Sequence, residues 1–184
     1  LTGAHVQFQE RQLANAIKVA ARVLYYIHKE LPCRLVSIDG GSITTIAVDC
    51  TAKLALAPGD MDAAKAIARR VVDEVRFEHK ESDPGMALDL SVSPSAEAVI
   101  SEDVTASLLS LLHLLPFGLV DTSLTFPGLP ISSFSLETID TSEDQITWFY
   151  RPTSAITSKM LDIDEQSRML AQLFDVEYKV ENYF

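Results

Sequence analysis

The chain has 184 residues, 47% hydrophobic and 22% charged, which is enough for one ordinary domain with a real core and too apolar for disorder. Its formal net charge is −11, and residues 101–184 carry 13 acids against only Arg151, Lys159, Arg168 and Lys179, a balance that excludes a phosphate backbone as partner. No apolar run approaches the roughly 18 to 20 residues of a membrane span, and Cys33 and Cys50 are too few for a disulfide scaffold or a zinc site; they read as reduced core residues, which fits a cytoplasmic protein.

In chain order, Ala4 to Gln9 is expected as a short opening strand. From Asn15 to Leu31, residues Ile17, Ala20, Ala21, Leu24, Ile27, His28 and Leu31 recur at helical spacing, and Pro32 ends the helix. Cys33 to Ile38 reads as a strand, with Asp39-Gly40-Gly41 as a connecting turn. Thr44 to Ala57 alternates, placing Ile46, Val48, Cys50, Ala52, Leu54 and Leu56 on one face. Asp60 is the expected cap of a helix over Asp62 to His79, with Ala63, Ile67, Val71 and Val75 inward. Asp83-Pro84-Gly85 then turns the chain into a strand from Met86 to Val92.

The second half opens with a helix from Ser101 to Leu115, where Ser101 caps and Glu102 and Asp103 suit the helix dipole. Strands follow over Leu119 to Thr125, Ile131 to Ile139 and Gln145 to Tyr150, then a helix from Ser158 to Phe174 and a closing strand from Val176 to Val180. The chain starts at Leu1 without a Met and is read as a piece of a longer protein. The expected class is α+β: two ferredoxin-like (split βαβ) units, residues 1–95 and 96–184, forming one mostly antiparallel sheet of seven or eight strands with helices on one face.

Candidates for chemistry are sparse. His5, His28, His79 and His113 are scattered one per element, without H-E-x-x-H or H-x-D spacing, so no metal site is expected. Asp162, Asp164 and Glu165 lack the glycine and the closing Glu of a calcium loop and read as a solvated helix face. No G-x-S-x-G occurs, and Asp39-Gly40-Gly41-Ser42 has no phosphate-loop companion. Arg151, expected at a strand end after Trp148-Phe149-Tyr150, can hold a carboxylate bidentately. Nothing here makes a catalytic centre of its own.

Read in order, several segments resemble the lid, or dimerisation, domain of aminoacyl-histidine dipeptidases, the Xaa-His or carnosinase-like branch of the two-zinc metallopeptidases. Gly3-Ala4-His5 is similar to that family's G-G-H-S-G, and Ala14 to Lys18 to its A-N-A-x-K. Arg34 to Gly41 is similar to its R-L-V-S-I-D-G-G, Leu115-Pro116-Phe117-Gly118 to its L-P-N-G, and Pro127-Gly128-Leu129 to its P-G-L. Arg151 falls where the family has an R-S-S segment after a strand.

The resemblance implies a lid over the active site of a zinc-dependent dipeptidase-like hydrolase. The zinc then sits in a catalytic domain of the same chain outside these residues, and no cofactor is expected in this part. It implies that His5 stabilises the tetrahedral intermediate, that Arg151 binds the carboxylate of a dipeptide substrate, and that a homodimer forms. The fragment alone would be inactive. Departures are plain: Val6 and Gln7 replace the Ser and Gly after the family's His, Thr45-Ile46-Ala47-Val48 replaces its N-A-I-P, and Ser133-Phe134-Ser135-Leu136-Glu137 replaces its S-x-N-L-G. The alternative is a stand-alone ferredoxin-like module that binds a small molecule or a protein partner.

Overall fold

The computed structural model describes residues 13–43, 45–93, 98–143 and 145–181. The expected strand at Ala4 to Gln9 and the candidate His5 lie outside them.

Helix α1 spans Ala16–Glu30 and buries Ile17, Ala21, Val23, Leu24 and Ile27, the stripe expected from spacing. Strands β1 (Cys33–Ser42) and β2 (Thr45–Leu56) form an antiparallel hairpin in which Cys33 faces Leu56 and Ser42 faces Thr45. Their register slips between Gly40 and Ser42, which breaks the alternation expected for β2. Val48 is therefore 74% exposed, and Ala47 takes the core position. A short 3₁₀ turn at Pro58–Asp60 leads into α2 (Met61–Glu78). Asp60 makes no side-chain capping bond, and Ala64 rather than Ala63 is buried.

Helix α3 (Glu102–Leu114) begins as expected, with the Ser101 hydroxyl accepting from the Val104 N–H. Strands β3 (Gly118–Thr122), β4 (Pro130–Thr141) and β5 (Ile146–Ser154) precede α4 (Thr157–Leu173). Among the described residues the five strands make one wholly antiparallel sheet, with β2-β1-β4-β3 neighbours in that order and β5 also on β4. Because β5 pairs along nearly all of β4, β3 and β1 must share the other edge of β4, β3 near its start and β1 at Thr138 and Ile139. The α+β class, the antiparallel sheet and the four helices are as the sequence indicates.

One apolar cluster joins Ile17, Leu24, Leu35, Ile38, Leu109, Leu112, Leu136 and Ile139, drawing on both halves of the chain. A second joins Val23, Ile27 and Cys33 to Ile67, Val71 and Val72 of α2. Leu54 packs on both clusters, so the helices lie on the same face of the sheet.

Two expected strands do not form. Residues 86–92 are irregular, because Met86 and Leu88 pack into the second cluster and the Met86 carbonyl accepts from Arg76 Nε at 3.1 Å. That segment crosses α2 instead of extending the sheet. Residues 176–180 are also irregular. The chain reverses at Asp175 (φ 52°), and Tyr178 folds back to donate to Asp164 of α4 at 2.7 Å. In both places contact with the preceding helix takes the place of strand pairing.

Candidate functional site

The chemistry-bearing groups gather where β4 and β5 pair. Trp148 and Tyr150 pack on the first cluster, so alternation turns Phe149, Arg151 and Thr153 to the opposite face of the sheet. Arg151 lies opposite Ser135 in the interior of β5, not at the strand end expected from sequence. Its neighbours are set by an irregularity in β4. Leu136 pairs with Tyr150 and Thr138 with Phe149, leaving Glu137 as the extra residue of a bulge.

The Glu137 side chain reaches Arg151, with Oε1 3.2 Å from Nε. The Glu137 side chain is fully buried, whereas that of Arg151 is 39% exposed, and its guanidinium also lies over the Phe149 ring at 5.5 Å. Burial pushes the Glu137 carboxyl up to about 7, and the Arg151 charge pulls the other way. The Ser135 hydroxyl is buried beside the pair and has no hydrogen-bond partner among the described residues. Next along the strands, the Ser133 and Thr153 hydroxyls bond at 2.7 Å.

Asp39-Gly40-Gly41 is the seam between the two hairpins rather than a turn. All three residues lie within β1, where Gly40 pairs with Ile139 and Gly41 with Thr138. A Cβ on Gly40 would stand 2.6 Å from the Asp49 carbonyl oxygen; one on Gly41 would stand 1.9 Å from that of Glu137. The Asp39 carboxylate accepts the Thr141 N–H at 2.7 Å, and the Thr141 hydroxyl donates to the Ile38 carbonyl at 3.0 Å. The Asp39 carboxylate is thus committed inside the fold.

Two further residues escaped functional assignment in the sequence, although both lie in its A-N-A-x-K segment. Asn15 is 1% exposed; its Oδ1 caps α1 by accepting from the Lys18 N–H at 3.0 Å, and its Nδ2 donates to the Leu136 carbonyl at 2.6 Å. Lys18 reaches the end of α3, where its ammonium donates to the carbonyls of Leu112, His113 (3.2 Å) and Leu115 (2.8 Å). Burial pulls Lys18 down to about 8. Glu137 too was visible only as a departure from a motif.

The other candidates are structural. His28 Nδ1 lies 3.3 Å from the Cys33 carbonyl oxygen, and His113 stacks on Tyr25 with centroids 4.4 Å apart, its pKa lowered by burial. Asp162 accepts from Gln166, and Asp164 and Glu165 pair with Arg168. The Cys33 thiol is pushed up to about 11 and that of Cys50 to about 12, chiefly by burial, so both stay protonated. Among the described residues no three His, Cys, Asp or Glu side chains form a group able to hold a metal ion. No helix among them is long and apolar enough to cross a membrane.

Residues 2–83 match the family model of the peptidase dimerisation domain. No curated protein sequence matches. Among solved structures the chain is similar to an aminoacylhistidine dipeptidase from Vibrio alginolyticus, with a TM-score of 0.82 and 22% identity over 89% of this chain. The likeness covers 34% of that chain, so the present sequence spans about a third of the relative's length. At this identity the structural likeness establishes the fold. Both findings agree with the dimerisation-domain resemblance carried by Arg34 to Gly41 and the shorter segments around it.

Proposed function

We propose that the chain is the lid and dimerisation domain of a zinc-dependent, cytoplasmic dipeptidase-like hydrolase that acts on Xaa-His dipeptides as a homodimer. The observation that supports this most is the match of residues 2–83 to the peptidase dimerisation domain, joined to a fold shared with an aminoacylhistidine dipeptidase over 89% of the chain. Residues 1–95 and 96–184 are its two halves. Its partners are a catalytic domain of the same chain, the dipeptide and a second copy.

In this reading the zinc ions belong to that catalytic domain, and no step involving them runs through the described residues. Arg151 supplies the substrate anchor: a partly exposed guanidinium, already fixed on its Nε side, recognises a carboxylate through two parallel N–H bonds. His5 takes the second role implied by the family resemblance, donating to the oxyanion as negative charge develops there.

The experiment is hydrolysis of Xaa-His dipeptides by the full-length protein, before and after zinc chelation, with sedimentation to read the dimer. Chelator-sensitive hydrolysis by a dimer is expected. A full-length protein that neither binds zinc nor hydrolyses any dipeptide would remove the proposal and favour the stand-alone binding module.

A further inference from the structure

The Glu137–Arg151 pair sits at the only bulge in the β4–β5 ladder among the described residues, and Arg151 is the group read as the substrate anchor. An arginine on a flat strand face has a long side chain with many rotamers, and holding it for a ligand costs entropy. A fully buried carboxylate at 3.2 Å from Nε removes much of that freedom before the ligand arrives. The Phe149 ring at 5.5 Å limits the guanidinium plane from another side. The contact uses the Nε edge, and the Arg151 side chain remains 39% exposed, so its terminal nitrogens are the part left to meet a ligand.

We propose that Glu137 is a positioning residue, fixing the Nε edge of Arg151 so that its two terminal nitrogens stand as a preformed fork for the substrate's terminal carboxylate. This deepens the reading of Arg151 as the anchor and rests on it. The bulge leaves residue 137 without a directly opposed residue on β5, and its carboxylate meets Arg151 there. Glu137 need not be ionised to serve. Its Oε1 stands 3.2 Å from Nε, close enough to limit the side chain by contact when protonated and by charge when ionised.

The test measures KM and kcat of the full-length protein on an Xaa-His dipeptide and on its C-terminal amide, which lacks the recognised charge. Glu137→Met keeps an unbranched chain of similar length but removes the carboxylate, and the Arg151 left behind is 39% exposed and can still be solvated. It should raise KM for the free dipeptide roughly tenfold, with kcat within about twofold and the amide unaffected. Glu137→Gln retains an acceptor oxygen and should stay near the parent values. In nuclear magnetic resonance, the Arg151 Nε–Hε bond should be ordered in the parent and in Glu137→Gln, and lose order in Glu137→Met.

If Arg151→Ala raises KM while Glu137→Met leaves it unchanged, the anchor reading survives and the positioning role is overturned. Equal order of the Nε–Hε bond in the parent and Glu137→Met overturns it too, as does a Glu137→Met effect of equal size on dipeptide and amide. If Arg151→Ala changes neither substrate, or nothing is hydrolysed, the anchor reading itself falls and the inference with it.

Discussion

Gly41 and Glu137 touch so closely that a Cβ on Gly41 would lie 1.9 Å from the Glu137 carbonyl oxygen and 3.1 Å from Ile17 Cδ1. Gly41 also has φ +79°, a conformation L side chains rarely adopt. The glycine is therefore required twice over, once for its backbone and once for space. Gly41→Ala should cost roughly 2–4 kcal/mol by denaturant unfolding. Gly128→Ala is the control, because Gly128 has φ +85° but open space where a methyl group would point, with no neighbour within 4 Å. Only backbone strain, roughly 1–2 kcal/mol, applies there. Equal losses at the two sites would show that the seam tolerates a methyl group.

Asn15→Ala removes the α1 cap and leaves the buried Leu136 carbonyl without its 2.6 Å donor. A loss of roughly 2–3 kcal/mol is expected, more than a helix cap alone contributes. Asn15→Ser keeps a capping oxygen but cannot span to β4, and should recover only the cap's share. Full recovery by Ser would mean that the bond to Leu136 contributes nothing.

Lys18 titrates near 8 in the fold and near 10.5 when unfolded. Between those values the unfolded chain binds more protons, so stability rises with pH across that window. Against Lys18→Met, which cannot titrate, the parent should gain stability from about pH 8 to about pH 10.5. At neutral pH the variant should be less stable by roughly 1–3 kcal/mol, because three carbonyls at the end of α3 lose their donor. Unfolding curves with the same pH slope for both proteins would contradict the burial of the ammonium.

Glu137 behaves in the opposite sense. Its folded value of about 7 lies above the ordinary 4.5, so the folded chain binds more protons between them and stability falls as pH rises through that range. Relative to Glu137→Gln, the parent should therefore lose stability from about pH 4.5 to about pH 7. Arg151→Ala should be more harmful at about pH 8 than at about pH 5, because only the ionised carboxylate needs the guanidinium. An Arg151→Ala penalty independent of pH would show that the pair is not electrostatically linked.

The helices were legible because each buries one stripe whose 3.6-residue period survives intact, as Ile17, Ala21, Leu24 and Ile27 do in α1. Strands were read less well wherever periodicity and partner disagreed. Met86 to Val92 has the composition of a strand, yet composition cannot say that α2 lies closer than a sheet edge. Asp39-Gly40-Gly41 has the look of a turn because glycine marks turns more often than close strand approach, and only the distances to Asp49 and Glu137 distinguish the two. Arg151 was found by chemistry, but its place inside β5 and its contact with Glu137 depend on the register of β5 on β4, which leaves no mark in the pattern of residues. A one-residue slip in register moves a side chain to the other face, so such a partner cannot be read without the ladder.

The seam also bears on how the protein comes to be made. Its bonds join residues far apart in sequence: Ile38 to Thr141 across 103 positions and Asn15 to Leu136 across 121. A ribosome adding roughly 5–20 residues per second leaves β1 without its second neighbour for several seconds after it emerges. Until β4 arrives, Gly40 and Gly41 form an uncovered edge with little side-chain protection, and such edges are where nascent chains stick to one another. Slow, non-local closure of this kind is typical of high contact order. Crowding many chains onto one message should therefore lower the soluble yield more than slowing their synthesis does.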